Sequence, residues 1–398
     1  MLFLTTDYPT PLEPTKGTFN RALVAALSRA HEVRVIVPIP WPIAWGLARG
    51  TRSPSVAARW ASPPNGPKPV FPTYFYTPKV LRGLYGSFLW YSVRGTLQRL
   101  MEAFHPEVVI GYWSHPDGEV AVRAARLGGI PAVVMVGGSD VLLLARDPRR
   151  RLRVVAALEA ADAVLAVGAD IKRRIGDLGI TLDKVHVFSR GVDEDVFSPG
   201  DQAEARARLG IPEGPVLLWV GRMVPVKGLD VLLEACLLLK SRNLSFRLYL
   251  VGDGPLFESL QTRVKADGLQ RQVSFVGAVP HEEVADWYRA ADLVVLPSRS
   301  EGVPNVLLES LACGTPFVAS RVGGVADLSE NPERDLVPSE DPDALAAAIV
   351  RGLQSARDAE GAPPRRFDWA DSVAALEAVL KSVVDRNTSS KVRDKHGG

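Results

Sequence analysis

Glu301 and Glu309 flank a Gly-x-Pro turn and an apolar run in the stretch SRSEGVPNVLLESLACG. A carboxylate accepts hydrogen bonds from paired hydroxyls, as on a ribose or a hexose. Pro304 suits the first turn of a helix. The amides of Gly302 and Val303 would then precede a helix N-terminus, a place suited to an anion. A second stretch, GRMVPVKG, sets Arg222 and Lys227 between Gly221 and Gly228. Two cations in a glycine-flanked loop suit a phosphate, although the loop alone also reads as an ordinary exposed turn, being neither a Walker sequence nor GxGxxG. A nucleotide sugar carries ribose, diphosphate and hexose together.

These residues fall at strand ends. GRMVPVKG follows the run PVLLWVG, and SRSEG follows LVVLPS. Between them GDGP (Gly252, Asp253, Gly254, Pro255) follows FRLYLVG, and Val276-Gly277 end QVSFVG. Such continuous apolar runs mark strands buried on both faces, and the segments between them have helical periodicity. The same rhythm fills the N-terminal half: LFLTT, VRVIVP, EVVIGYW, PAVVMVG, AVLAVG and KVHVF alternate with helical patterns such as FNRALVAALSRA. Two consecutive series imply an α/β chain with two doubly wound parallel-sheet, Rossmann-like domains facing a cleft, with ligands at the carboxyl ends of the strands. The expected division is 1–195 for the N-terminal domain and 196–365 for the C-terminal domain. A helix over 366–388 packs back on the first domain, and a disordered tail covers 389–398. A linker with one short helix spans about 191–213, and about 39–80 reads as irregular.

The bulk composition bounds the class. The 398 residues are 46% hydrophobic and 23% charged, with a net charge of +2, as in an ordinary globular chain. Cys236 and Cys313 lie in apolar helical runs and read as buried thiols, which fits a reducing, cytoplasmic compartment. No signal peptide is apparent, and no apolar run reaches the ~18 residues that span a bilayer. The window Val33–Met101 has no Asp or Glu but includes Arg34, Arg49, Arg52, Arg59, Lys68, Lys79, Arg82, Arg94 and Arg99, interleaved with aromatics such as Trp41, Trp45 and Trp60. A basic, aromatic, proline-rich segment reads either as a solvated loop before a core helix or as contact with an anionic membrane face. Nucleic acid is not the expected partner.

Taken in order, GRMVPVKG, GDGP, FVG and SEGVPNVLLE resemble the donor half of retaining glycosyltransferases of family 4, which have the GT-B fold. The DYPT…KGTF loop, the GVD linker and the final FDW-led helix match as well. The resemblance implies that Arg222 and Lys227 neutralise the donor diphosphate and that Glu309 holds the ribose hydroxyls. It assigns Glu301 and the backbone at Gly302, Val303 and Pro304 to the transferred sugar. Gly221, Gly252, Gly254, Val276 and Gly277 would line the nucleotide, and Gly17 would approach the diphosphate. His115, in SHPDG, matches a histidine position near the sugar, with a packing role as the alternative. Asp140, in VGGSDV, is a sugar or acceptor contact or a cap. The implied reaction moves a hexose from a donor such as a UDP- or GDP-sugar to a polysaccharide or lipid-linked acceptor of the bacterial cell surface. It needs no metal and no cofactor and runs by a front-face route. Asp193-Glu194-Asp195 lies in the linker and is set aside as a metal motif. Arg190, Asp327 and Val303 depart from the family's usual residues. A nucleotide-sugar 2-epimerase and a non-catalytic sugar-nucleotide-binding partner are the other readings.

Overall fold

The β-branched runs form two separate parallel sheets in the computed structural model, which describes residues 1–10, 13, 16–48, 66–358 and 367–396. The chain divides into one unit of residues 1–191 and 369–398 and a second of residues 192–368.

In the first unit the strands are β1 (Leu2–Leu4), β2 (Arg34–Ile36), β5 (Val109–Tyr112), β6 (Ala132–Val136), β7 (Ala163–Ala166) and β8 (Val185–Val187), with a small parallel pair β3 (Ile39–Pro40) and β4 (Thr73–Tyr74) apart from the main sheet. The sheet order is β2-β1-β5-β6-β7-β8, with Phe3 opposite both Val35 and Ile110. The chain runs outward from β1 to β2 and returns on the other side of β1 as β5. The carboxyl ends of β1 and β5 therefore border the switch point where such sheets hold ligands. One face of the core joins Phe3, Ile110, Val133 and Leu165 to Leu23 and Leu27 of the helix Thr18–Leu27 and to Leu376, Leu380 and Val383 of the C-terminal helix Trp369–His396.

The second unit repeats the plan with β9 (Val216–Val220), β10 (Arg247–Val251), β11 (Val273–Gly277), β12 (Leu293–Leu296), β13 (Phe317–Ser320) and β14 (Leu336–Val337) in the order β11-β10-β9-β12-β13-β14. Its switch point lies between β9 and β12, where Leu218 pairs Val294. Leu217, Trp219, Leu248 and Leu250 pack with Leu232 and Cys236 of the helix Leu229–Ser241 and with Leu345 and Ile349 of the helix Pro342–Asp358. Both cysteines are free and buried, and burial pushes each thiol up to about 12.

Three segments differ from the sequence reading. The stretch read as irregular contains the helix Trp41–Ala48. Pro42 falls in its first turn, where a missing N–H costs nothing, and Trp41 donates to Tyr76 O at 2.8 Å and stacks on Phe75. Arg49, Arg52, Arg59, Trp60 and the GAPP break lie outside the described residues. The tail read as disordered from 389 continues the C-terminal helix to His396, with Ser and Thr hydroxyls folded back on the carbonyls one turn earlier and Asn387 donating to Gly129 O. The stretch read as a linker is seated in the second unit, where Arg289 donates to Val196 O and Ser198 O and Phe197 packs edge-on against His281 and Tyr288. Among the described residues no helix is long and apolar enough to cross a membrane.

Candidate functional site

In the second unit the ends of β9, β10 and β11 are laced into one layer. Gly221 N donates to Val251 O at 3.0 Å, Gly252 N to Gly277 O at 2.8 Å, and Met223 N to Asp253 O at 2.9 Å. A Cβ on Gly252 would strike Gly221 O, so only glycine lets the two turns meet. The structure thus brings together Gly221, Gly252, Gly254, Val276 and Gly277, and their backbones form a rim with little side-chain bulk.

The loops after β9 and β12 meet at the switch point. Lys227 Nζ donates to Glu301 Oε1 at 2.7 Å, with the two side chains 23% and 10% exposed. The sequence marked these residues for different parts of a donor, and the fold makes them partners. Arg222 is exposed, and its side chain has no hydrogen-bond partner among the described residues. A guanidinium and a paired ammonium therefore share one strand-end loop.

Arg299 holds that arrangement, and sequence reasoning missed it. Its amide donates to Val226 O at 2.8 Å and its guanidinium to Pro225 O, to both carboxylate oxygens of Asp230 and to Glu340. It clamps the Lys227 turn against the Glu301 loop, and its hydrogen bond holds the Asp230 carboxyl below its ordinary value. Gly302 O accepts from Gly324 N at 2.8 Å, which fixes the other side of the Glu301 loop. Pro304 is the N-cap residue of the helix Asn305–Ala312 and supplies no capping side chain.

Glu309 lies on that helix with Oε1 3.1 Å from His281 Nε2 and Oε2 accepting from Tyr288 OH at 2.9 Å. Burial, and then the Glu309 carboxylate, raises the Tyr288 phenol well above its ordinary value, which keeps it a donor. Each Glu309 oxygen retains a lone pair for a further donor such as a ribose hydroxyl. His281 and Tyr288 carried no motif in the sequence. They are found only once the helix Val284–Ala290 packs on Asn305–Ala312.

In the first unit Gly17 caps the helix Thr18–Leu27 at φ 59, and a Cβ there would overlap Asp7 O. Asn20 Nδ2 also donates to Asp7 O, at 2.7 Å, so the β1 loop is folded against the helix start. Asp117, which the sequence reading passed over in SHPDG, lies opposite. Its Oδ2 accepts from Thr6 N at 2.8 Å and Thr6 Oγ1 at 3.0 Å, while its Oδ1 is buried with no partner. Burial outweighs the Thr6 hydrogen bonds and pushes this carboxyl up to about 7.

His115 and Asp140 are both fully buried. His115 Nε2 lies 3.3 Å from Arg82 O and Nδ1 3.3 Å from Glu119 Oε2. Burial would raise Glu119, but His115, Arg123 and Arg153 together hold it below its ordinary value. The imidazole braces the β5 loop through Nε2, while His115 Nδ1 and Glu119 Oε2 are buried without a hydrogen-bond partner among the described residues. Asp140 accepts from Ser114 N and Oγ on one oxygen and from Gly138 N and Val141 N on the other. Four donors fill the capacity of a carboxylate, so Asp140 ties the β5 and β6 loops and has no lone pair left for a sugar. Arg190, the departure at the end of this unit, donates to Tyr112 OH at 2.6 Å and lies 4.4 Å over the Phe19 ring.

Comparison with known proteins bears on this geometry. The family described as Glycosyltransferase Family 4 matches residues 17–196, and that described as Glycosyl transferases group 1 matches residues 214–355. D-inositol 3-phosphate glycosyltransferase 1 of Catenulispora acidiphila is 35% identical over 296 residues, 68% of this chain and 71% of its own length. TuaC of Bacillus subtilis, a glycosyltransferase named for teichuronic acid biosynthesis, is 28% identical over 369 residues, 88% of each chain. The crystal structure of Anabaena Alr3699/HepE in complex with UDP covers 96% of this chain with 99% of its own, at a TM-score of 0.69 and 18% identity, and its complex with UDP-glucose gives a TM-score of 0.68. The chain is a glycosyltransferase of family 4 and has the GT-B fold.

Proposed function

We propose that this chain moves a glycosyl residue from a nucleotide-diphosphate sugar to a carbohydrate or lipid-linked acceptor with retention of configuration. The observation that carries the reading is the Lys227–Glu301 pair at the switch point of the second unit, in the same loop as the unpartnered Arg222. Cations there meet the diphosphate, and the carboxylate meets hydroxyls of the sugar. Glu309 takes the ribose. UDP and UDP-glucose in the HepE complexes support a nucleotide-sugar donor, and TuaC's name supports a polysaccharide acceptor. The relatives are named as transferases, so the 2-epimerase reading is not carried forward.

In this mechanism the bond from the anomeric carbon to the phosphate oxygen breaks while the acceptor oxygen bonds to the same face. The leaving phosphate takes the acceptor proton, and Arg222 and Lys227 stabilise its negative charge. Exposed Trp45, Phe75, Val80, Leu81 and Tyr91 in the acid-free window support peripheral contact with an anionic membrane, where a lipid-linked acceptor would be met.

The test is a thermal-shift panel of UDP, GDP, ADP, dTDP and CDP on the wild type and Arg222→Ala. A ligand at 100 times its Kd stabilises the folded state by about 2.7 kcal/mol. One nucleotide should raise the melting temperature of the wild type and lose its effect in the variant. No response from any nucleotide overturns the donor assignment.

A further inference from the structure

We infer that His281 and Tyr288 are positioning residues: together they lock the plane of the Glu309 carboxylate, and the locked carboxylate selects a ribonucleotide over its 2′-deoxy counterpart. The inference rests on the glycosyl-transfer reading, in which Glu309 takes the ribose, and names what decides the sugar of the nucleotide.

His281 opens the short turn His281–Glu283, which runs into the helix Val284–Ala290. Tyr288 follows seven residues later, about two helical turns on, so both rings face one side. That side meets Glu309 on the helix Asn305–Ala312. His281 Nε2 lies 3.1 Å from Glu309 Oε1, and the Tyr288 hydroxyl donates to Oε2 at 2.9 Å. A carboxylate accepts and does not donate, so the imidazole nitrogen facing it carries the proton. One donor on each oxygen fixes a group whose terminal torsion is otherwise soft.

The donors are themselves held. The buried Phe197 ring packs edge-on against both, with centroids 4.9 Å from His281 and 6.0 Å from Tyr288. Arg289 donates to Val196 O at 2.9 Å and Ser198 O at 2.8 Å, on either side of Phe197. Thr315 Oγ1 donates to Tyr288 O at 2.7 Å. The Glu309 side chain keeps 12% of its surface exposed. A carboxylate held flat, with one lone pair open on each oxygen, fits two neighbouring hydroxyls such as the 2′ and 3′ of a ribose. A 2′-deoxy sugar fills only one, and a locked carboxylate cannot turn to compensate. A free carboxylate would turn to the remaining hydroxyl, and would lose part of the ribose's advantage in ordering itself.

The experiment measures binding of UDP against 2′-deoxy-UDP, and of the matching GDP, ADP and CDP pairs, by calorimetry on the full chain. It compares the wild type with Tyr288→Phe, His281→Leu and His281→Gln. Hydrogen bonds to a charged group put the wild-type preference for the ribonucleotide at roughly 10- to 100-fold. Tyr288→Phe and His281→Leu should cut that ratio to roughly threefold, weakening the ribose form far more than the deoxy form. His281→Gln keeps an N–H toward Oε1 and should restore most of the ratio. The deoxy form bound by each variant reports its fold. dTDP, which lacks the 2′-hydroxyl, should bind the wild type more weakly than the preferred ribonucleotide. Equal weakening of both members of a pair, an unchanged ratio, or dTDP as the tightest ligand refutes the inference. An unchanged ratio with a ribonucleotide bound leaves the donor reading standing and removes only the positioning role. No binding of any pair by the wild type overturns both.

Discussion

Replacing Glu301 by Gln keeps the side-chain shape and removes one charge from the Lys227–Glu301 pair. The 2.7 Å contact is a charge-assisted hydrogen bond in a part-buried setting, worth about 1.5–3 kcal/mol. On the proposed reading a diphosphate draws on the same ammonium, so the pair competes with the leaving group for Lys227. Gln still accepts a hydrogen bond but no longer holds the charge. At ~1.4 kcal/mol per factor of ten, freeing Lys227 should tighten binding of the nucleotide diphosphate without sugar by roughly 10-fold, and by 100-fold at most. Turnover should fall, because the carboxylate proposed to meet the sugar hydroxyls is gone. Binding and turnover therefore move in opposite directions. Calorimetry with the nucleotide identified by the panel gives the first, and initial transfer rates give the second. Lys227→Met is the control and should weaken nucleotide binding. The reasoning is refuted if Glu301→Gln weakens nucleotide and turnover together, or if Lys227→Met leaves nucleotide affinity unchanged, since either result makes the pair a structural tie only.

Asp117 should make stability depend on pH. Its folded-state value of about 7 lies above its ordinary 3.8, so the folded chain holds a proton that the unfolded chain has released, and stability falls as pH rises from about 4 to about 7. Three pK units correspond to ~4 kcal/mol as an upper bound, and Asp117→Asn should flatten that stretch of the profile in denaturant unfolding. Arg299→Ala should cost only ~1–2 kcal/mol of stability, because its partners Asp230 and Glu340 are half exposed, yet it should weaken nucleotide binding by loosening the Lys227 turn. Equal nucleotide affinity in that variant would remove the clamp from the site. Leu376→Ala, fully buried in the C-terminal helix, should destabilise the first unit by about 2–5 kcal/mol. Calorimetry should then show one transition shifted down and one kept, and a uniform shift would contradict the division of the chain.

Which parts of this site were readable in advance follows from how each residue is held. Gly221, Gly252 and Gly277 were marked because each ends an apolar run, and strand ends are local in sequence. Lys227 and Glu301 were marked for the same reason, but their pairing was not. They are 74 residues apart and meet only because β12 returns beside β9, a matter of sheet order that no local pattern encodes. Arg299 looked like any loop arginine, since its partners Asp230 and Glu340 lie 69 and 41 residues away. Asp117 and Asp140 show the limit from the other side. Both are carboxylates in loops after neighbouring strands, and sequence alone gave reason to name Asp140. Folding saturates Asp140 with four donors and leaves an oxygen of Asp117 buried without one. The helix Trp41–Ala48 escaped because it is apolar with two aromatics and a proline, so it has no polar face to give a period. The end of the C-terminal helix escaped because its Ser and Thr residues favour turns in isolation. There the helix is instead carried onward from a buried stretch at Leu376 and Leu380, and Asn387 anchors it to Gly129. The chemistry-bearing residue types were thus visible wherever a strand delivers them, and their partners became visible only through the order in which the strands assemble.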